Sequence, residues 1–176
     1  MIRIHNNIYY GRKYAWFDDG PFVNNYPVII TIDAKEYKSV THYINCQHAL
    51  DTNNMELYNT IYNSTNAVSS ISKAANIWSG KYVAMTTALV AKFTQNPGLG
   101  DILLNTAPLQ LVYSDKRDSE LGIAIDSTDT NRIQYAPLWC GKNILGQKLM
   151  NVRDHILKSC VTSASSSLGQ SPSISE

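Results

Sequence analysis

Phe22-Val23-Asn24-Asn25, followed by Ser39-Val40-Thr41-His42-Tyr43-Ile44-Asn45-Cys46-Gln47-His48, is the stretch from which the rest of the chain is read. With the residues between, it forms a polar loop, a strand over 28–33, a tight turn at Asp33-Ala34-Lys35 and a helix. The strand begins after Pro27 and is β-branched throughout, Val28-Ile29-Ile30-Thr31-Ile32, a composition that suits a pleated surface. Ser39 is a good N-cap for the helix, which is expected to end near Leu50. Thr41, Asn45 and His48 stand at i, i+4 and i+7, on one helix face. Polar groups gathered on one face of a helix that must also pack a core imply a lined pocket.

Working outward, residues 2–10 alternate loosely, as a first strand or hairpin arm does, and 11–25 are aromatic and turn-rich. Residues 51–73 are rich in Asn and Ser and read as one or two short helices with Leu57, Tyr58 and Ile61 on one face. A clearer helix carries Tyr82, Met85, Leu89 and Phe93 at helical spacing and stops at Asn96-Pro97-Gly98. A short helix over 101–105, strands over 109–113 and 122–125, and a polar loop over 126–135 follow. The last helix is expected over 142–159, with Leu145, Leu149, Val152 and Ile156 as its inner stripe. From Val161 the chain is Ser-rich with little to bury, so 161–176 is read as a disordered tail behind a domain over 1–160. The whole reads as α+β, a mostly helical single domain with a few short strands.

The chain has 176 residues, enough for one sizeable core, and a formal net charge of +1. That balance gives no bulk attraction to DNA, RNA or an acidic membrane, although a nucleotide-sized ligand needs only a few local donors. The eleven tyrosines are read first as composition bias and second as a stacking surface. Three cysteines, Cys46, Cys140 and Cys160, without paired spacing argue against a disulfide framework. His42 and Cys46 stand one turn apart, as two metal ligands do, yet no further ligand pair follows. Cys46 is therefore read as core filling, with no metal and no cofactor expected. No apolar run has signal-peptide or transmembrane length. A cytoplasmic or nuclear location is the expectation.

Four segments in order carry a resemblance. The first holds Phe22 and Asn24 in the loop, Asp33 and Lys35 in the turn, and His42, Tyr43 and Gln47 in the helix. The second is Trp78 followed by Ala88-Leu89-Val90-Ala91-Lys92-Phe93-Thr94-Gln95-Asn96-Pro97. The third is Leu103-Leu104-Asn105-Thr106-Ala107 with Leu111-Val112, then Asp118 and Gly122. The fourth is Gly141-Lys142-Asn143-Ile144-Leu145-Gly146 with Leu149-Met150-Asn151-Val152-Arg153. Together they resemble the NADAR (YbiA-like) N-glycosidase family. That family shows an Asp-Gly-Lys turn, a helix opening with Glu-His-Tyr, an Asp-x-x-Trp-Gly signature and an Asn-x-Leu-Gly run. The departures fall where such members carry or flank their chemistry. Thr41 stands for the helix-opening Glu, Ile44-Asn45 for Phe-Gln, His48-Ala49 for Lys-Phe, and Leu121 for the Trp before the glycine.

The resemblance implies hydrolysis of an N-glycosidic bond, in a riboflavin intermediate of ribosylated aminopyrimidine type or in ADP-ribose attached to guanine. Breaking that bond places positive charge on the sugar, which a carboxylate stabilises while it activates water. Asp118 is then the matching carboxylate, Thr41 the altered catalytic position, and His48, farther along the Thr41 face, a proton relay; Glu36 is a further substitute. Trp78 is expected to stack a base, and Asn24, Lys35 and Asn143 to anchor ribose hydroxyls or phosphate. His42 is kept among the ligand-side residues, beside its plainer reading as a hydrogen-bonding histidine of the fold. Without the resemblance, Asp118 in Asp115-Lys116-Arg117-Asp118-Ser119-Glu120 reads as a solvated turn residue. Lys92 and Arg153 read either as partners of carbonyls and carboxylates or as phosphate ligands. The expected partner is a small nucleotide-like or ADP-ribosylated molecule, with nucleic acid only as the carrier of a modified base and no membrane. The alternative is a catalytically weakened member that binds such a nucleotide without turnover.

Overall fold

A computed structural model describes residues 3–65, 75 and 77–167. The chain opens with a hairpin, β1 (Arg3–His5) and β2 (Ile8–Tyr10), paired Arg3 to Tyr10 and His5 to Ile8. Its two-residue loop is Asn6-Asn7, with φ of 51° and 59°, a left-handed pair that asparagine tolerates well. β2 pairs antiparallel with β3 (Tyr14–Phe17), whose four residues are all buried. Far along the chain β6 (Gln110–Tyr113) lies parallel to β3, Tyr14 opposite Gln110 and Phe17 opposite Tyr113. The sheet order is therefore β1-β2-β3-β6. A second hairpin joins β4 (Ile30–Ile32) and β5 (Lys35–Tyr37) through Asp33-Ala34, again with φ of 51° and 58°.

The helices lie in the long connection between β3 and β6 and after it. α1 (Val40–Asp51) starts where expected, the Ser39 hydroxyl accepting from the His42 N–H at 3.0 Å. α2 (Met55–Tyr62) is capped by Asn54. α3 (Lys81–Gln95) buries Ala84, Met85, Ala88, Leu89, Lys92 and Phe93. α1 packs against α2 and α3. α4 runs Pro97–Leu104, earlier than the 101–105 expected, because Pro97 takes the first helical position, where a missing N–H costs nothing. The polar loop over 126–135 contains a single turn, α5 (Thr130–Ile133), capped by Asp129.

Residues 122–125 are not a strand. Ala124 has φ 56°, and the Ile123 N–H and C=O bond Tyr113 and Cys140 outside any ladder. Ile123 and Ile125 are buried all the same, with Tyr14, Trp16, Val112 and Ile133, in a small second core. α6 (Ile144–Ser167) packs its Leu145, Leu149 and Val152 against β6 and α3. It runs past 159, so 161–167 of the expected tail are helical, and no break marks the boundary at 160. Local bonds sustain this end, the Thr162 hydroxyl returning to the Lys158 and Ser159 carbonyls, while Ser159, Cys160 and Thr162 stay exposed. The remainder of the expected tail lies outside the described residues.

The fold is α+β and mostly helical. Phe17, Phe22 and Phe93 meet edge to face at its centre, with centroids 5.3 and 5.9 Å apart, and tie the sheet to the front loop and α3. Among the described residues no helix is long and apolar enough to cross a membrane.

Candidate active-site cleft

The loop after β6 is shaped by backbone bonding before it presents any chemistry. Asp118 Oδ1 accepts from the N–H groups of Glu120 and Leu121 at 2.9 and 2.7 Å, an Asx turn. Its Oδ2 has no protein partner among the described residues. The N–H groups of Lys142, Asn143, Ile144 and Leu145 donate to the carbonyls of Ser119, Gly122, Glu120 and Leu121 at 2.9–3.3 Å. Those at the start of α6 have no partner within the helix, so each bond satisfies a donor that would otherwise be orphaned. Gly122 is required here: a Cβ would meet the Tyr113 carbonyl at 2.8 Å and the Asp118 carbonyl at 3.0 Å.

Opposite this loop stands the entry to α3. The Trp78 indole N–H donates to Asp51 Oδ2, at the end of α1, at 2.7 Å, and its ring meets His48 at 5.8 Å. Gly80 lets the ring fold over the helix start, since a Cβ there would lie 2.2 Å from Trp78 Cζ2. Between the two walls is a cleft of about 830 Å³, lined among others by Trp78, Lys81, Tyr82, Asp118, Glu120 and Leu121. Asp115 and Arg117, a salt bridge of 3.3 Å, lie at its edge. They also line a smaller lobe of about 350 Å³ with Asp18, Lys116 and Asp126.

The cleft's charge is organised around Glu120. Lys81 Nζ lies 2.8 Å from its Oε2, and the Tyr82 hydroxyl donates to its Oε1. Lys81 first and Tyr82 second hold this carboxyl below the usual range, so it is ionised at neutral pH. Burial, reinforced by Glu120, pushes the Tyr82 phenol up to about 12, so it remains a donor. The Lys81 side chain is 4% exposed and that of Glu120 44%, which turns the negative end of the pair toward the opening.

The expected site residues separate into groups. Asp118 and Trp78 share the cleft, and His48 touches Trp78 without lining the cleft itself. Thr41 does not line it. It is 3% exposed, and its N–H donates to the Asn24 carbonyl at 2.9 Å. Asn24 reaches from there to Met85 Sδ of α3 at 3.2 Å, and its Oδ1 has no partner among the described residues. His42 is a brace: Nδ1 accepts from the Lys38 N–H at 3.0 Å, which leaves the proton on Nε2, 3.0 Å from the Ile61 carbonyl. Burial pulls its pKa down, so it stays neutral. Asn143 is likewise spent on the fold, donating to the Leu111 carbonyl at 2.9 Å and accepting from the Tyr113 N–H at 3.0 Å. Lys35 lies with Tyr58, 3.2 Å from its hydroxyl, and Lys92 and Arg153 hold the Val23 and Leu109 carbonyls. Lys81, Tyr82 and Glu120 are not among the site residues expected from the sequence, where Tyr82 belongs only to a helix stripe and Glu120 to a charged loop. The signal for Glu120 was its place two residues after Asp118, at an open position of the family signature. Among the described residues no cluster of three or more metal-ligating side chains occurs.

Among curated proteins none matches the chain. The NMR structure of the E. coli protein YbiA has a similar fold, with a TM-score of 0.63 at 24% identity, over 93% of this chain and 92% of that one. The model of the NADAR domain matches residues 9–157, nearly the whole described fold, and the chain belongs to that family.

Proposed function

We propose that the chain is an N-glycosidase-like hydrolase acting on a ribosyl or ADP-ribosyl N-glycosidic bond in the cleft between Trp78 and Asp118. The observation that carries this reading is that these two residues, distant in the chain, line one cavity of about 830 Å³, a size suited to a nucleotide-like ligand. Trp78 offers a stacking wall, worth about 1–3 kcal/mol per base. Oδ2 of Asp118 is free to take a proton from water as the water oxygen bonds to the anomeric carbon. The C–N bond pair leaves with the base nitrogen, which receives that proton, so one water is consumed and no other reactant is needed. Asp118 Oδ1 stays in its turn throughout, which fixes the carboxylate's direction.

One observation favours a second reading, a nucleotide-binding member that has lost turnover. Thr41, where the family carries Glu, is uncharged and buried, its N–H held by the Asn24 carbonyl of the front loop. Incubation with guanine-linked ADP-ribose and with ribosylated aminopyrimidines, followed by chromatography of the released base, decides between the two. Release is expected from the wild type, slowed about 100-fold or more in Asp118→Asn, which keeps the turn but not the base. Saturable binding by calorimetry with no released base establishes the second reading instead.

A further inference from the structure

The cleft contains a carboxylate that the family pattern does not specify, in a chain that lacks one the pattern does specify. Thr41 removes an acidic group from the start of α1. Glu120 introduces one at an open position of the Asp-x-x-Trp-Gly signature, on the same Asx turn as Asp118. We propose that Glu120 is the second carboxylate of the active cleft and supplies, from the loop after β6, a fixed negative charge beside Asp118; this rests on the glycosidase reading above.

Three features of the geometry assign the role. First, Glu120 is fixed: Lys81 Nζ on Oε2 and the Tyr82 hydroxyl on Oε1 leave its side chain little freedom. A group held in place costs no reorganisation when charge develops on the sugar. Second, its field points the right way. The ammonium partner is enclosed at 4% exposure and the carboxylate, at 44%, faces the opening, so a ligand meets the negative end first. Third, its division of labour with Asp118 follows from the hydrogen bonds. Both oxygens of Glu120 are engaged, which suits a permanent anion and not a proton acceptor. Asp118 keeps one oxygen free and is the base. Glu120 thus stabilises the cationic sugar as the C–N bond breaks, while Asp118 handles the water proton.

The test is steady-state kinetics of Glu120→Gln beside Asp118→Asn and the wild type, on whichever N-glycoside the wild type cleaves, with melting curves to show folding. The expected result is a kcat about 100-fold lower in Glu120→Gln with KM nearly unchanged, because the lost interaction is made to the transition state alone. A role confined to holding Lys81 would move stability or KM and spare kcat. If Glu120→Gln does not fold, Lys81→Met with Glu120→Gln removes both charges, so that no buried ammonium is left unpaired, and the same kcat criterion applies. A kcat within about tenfold of wild type in a folded variant, while Asp118→Asn is inactive, overturns the assignment of Glu120 alone. Absence of base release from the wild type overturns it together with the reading on which it rests.

Discussion

Ala34 shows how much a single departure from the family pattern costs when the backbone has no other choice. The related turn is Asp-Gly-Lys, and here alanine takes the glycine position with φ 58°, next to Asp33 at 51°. A Cβ in the left-handed region costs about 1 kcal/mol, part of which glycine returns through greater freedom of the unfolded chain. Ala34→Gly is therefore expected to stabilise the protein by about 0.5–1 kcal/mol, seen as a higher urea midpoint at unchanged slope. A lower midpoint would mean that the turn is not strained. Other residues were legible to different depths for reasons that are also local. Ser39 is legible as a cap because its partner, His42, lies three residues on. The two readings of His42 could not be separated, because Ile61, which fixes Nε2, is remote in sequence. Glu120 has only its nearness to Asp118 to mark it, because Lys81 and Tyr82, which engage its two oxygens, belong to a different element.

Elements with a strong periodic signal were legible, and those defined by their neighbours were not. α3 is legible because Tyr82, Met85, Leu89 and Phe93 keep helical spacing over three turns, and α1 because Ser39 caps it and Thr41, Asn45 and His48 share a face. β3 was missed inside an aromatic, turn-rich stretch because all four of its residues are buried, which removes the alternation that marks a half-exposed strand. Residues 122–125 have a strand's composition, but the loop's bonds to β6 and Cys140 claim their backbone. The start of α6 illustrates how one motif serves several purposes. Asn143 replaces a missing strand neighbour for β6, and Gly146 passes so close to it that a Cβ would lie 2.3 Å from the Leu111 carbonyl. The Asn-x-Leu-Gly run is thus a clasp, with the Asp118 loop bound to the same turn. Asn143→Ala removes two hydrogen bonds to buried backbone and places alanine at φ 53°, so a loss of about 2–4 kcal/mol is expected in denaturant titration. Faster amide exchange at Leu121 and Leu145 should accompany it. A variant as stable as wild type would show that Asn143 is free to serve a ligand after all.

At the scale of the whole molecule, the four family segments are brought together by contacts that cross the full chain. The parallel pairing of β3 with β6 has no local signature, since any crossover long enough allows it. The order of segments was therefore readable, and their convergence was not. Lys92 is the deepest of the cross-chain contacts. It is fully buried on α3, donates to the Val23 carbonyl of the front loop at 2.9 Å, and lies 5.1 Å from the centre of the Tyr26 ring. Burial pulls its pKa from 10.5 to about 7. The unfolded chain keeps the ordinary value, so between pH 7 and 10.5 it binds a proton that the folded protein has released. Stability from this group therefore rises with pH across that window, and below it the folded state bears the cost of a buried charge in full. The melting temperature is expected to climb between pH 7 and pH 9, before the tyrosines and other lysines begin to titrate. Lys92→Met, close in length and without a charge, should flatten that climb even if it loses the hydrogen bond to Val23. An equal slope in both proteins would show that Lys92 is not the group responsible and that its ammonium persists in the core.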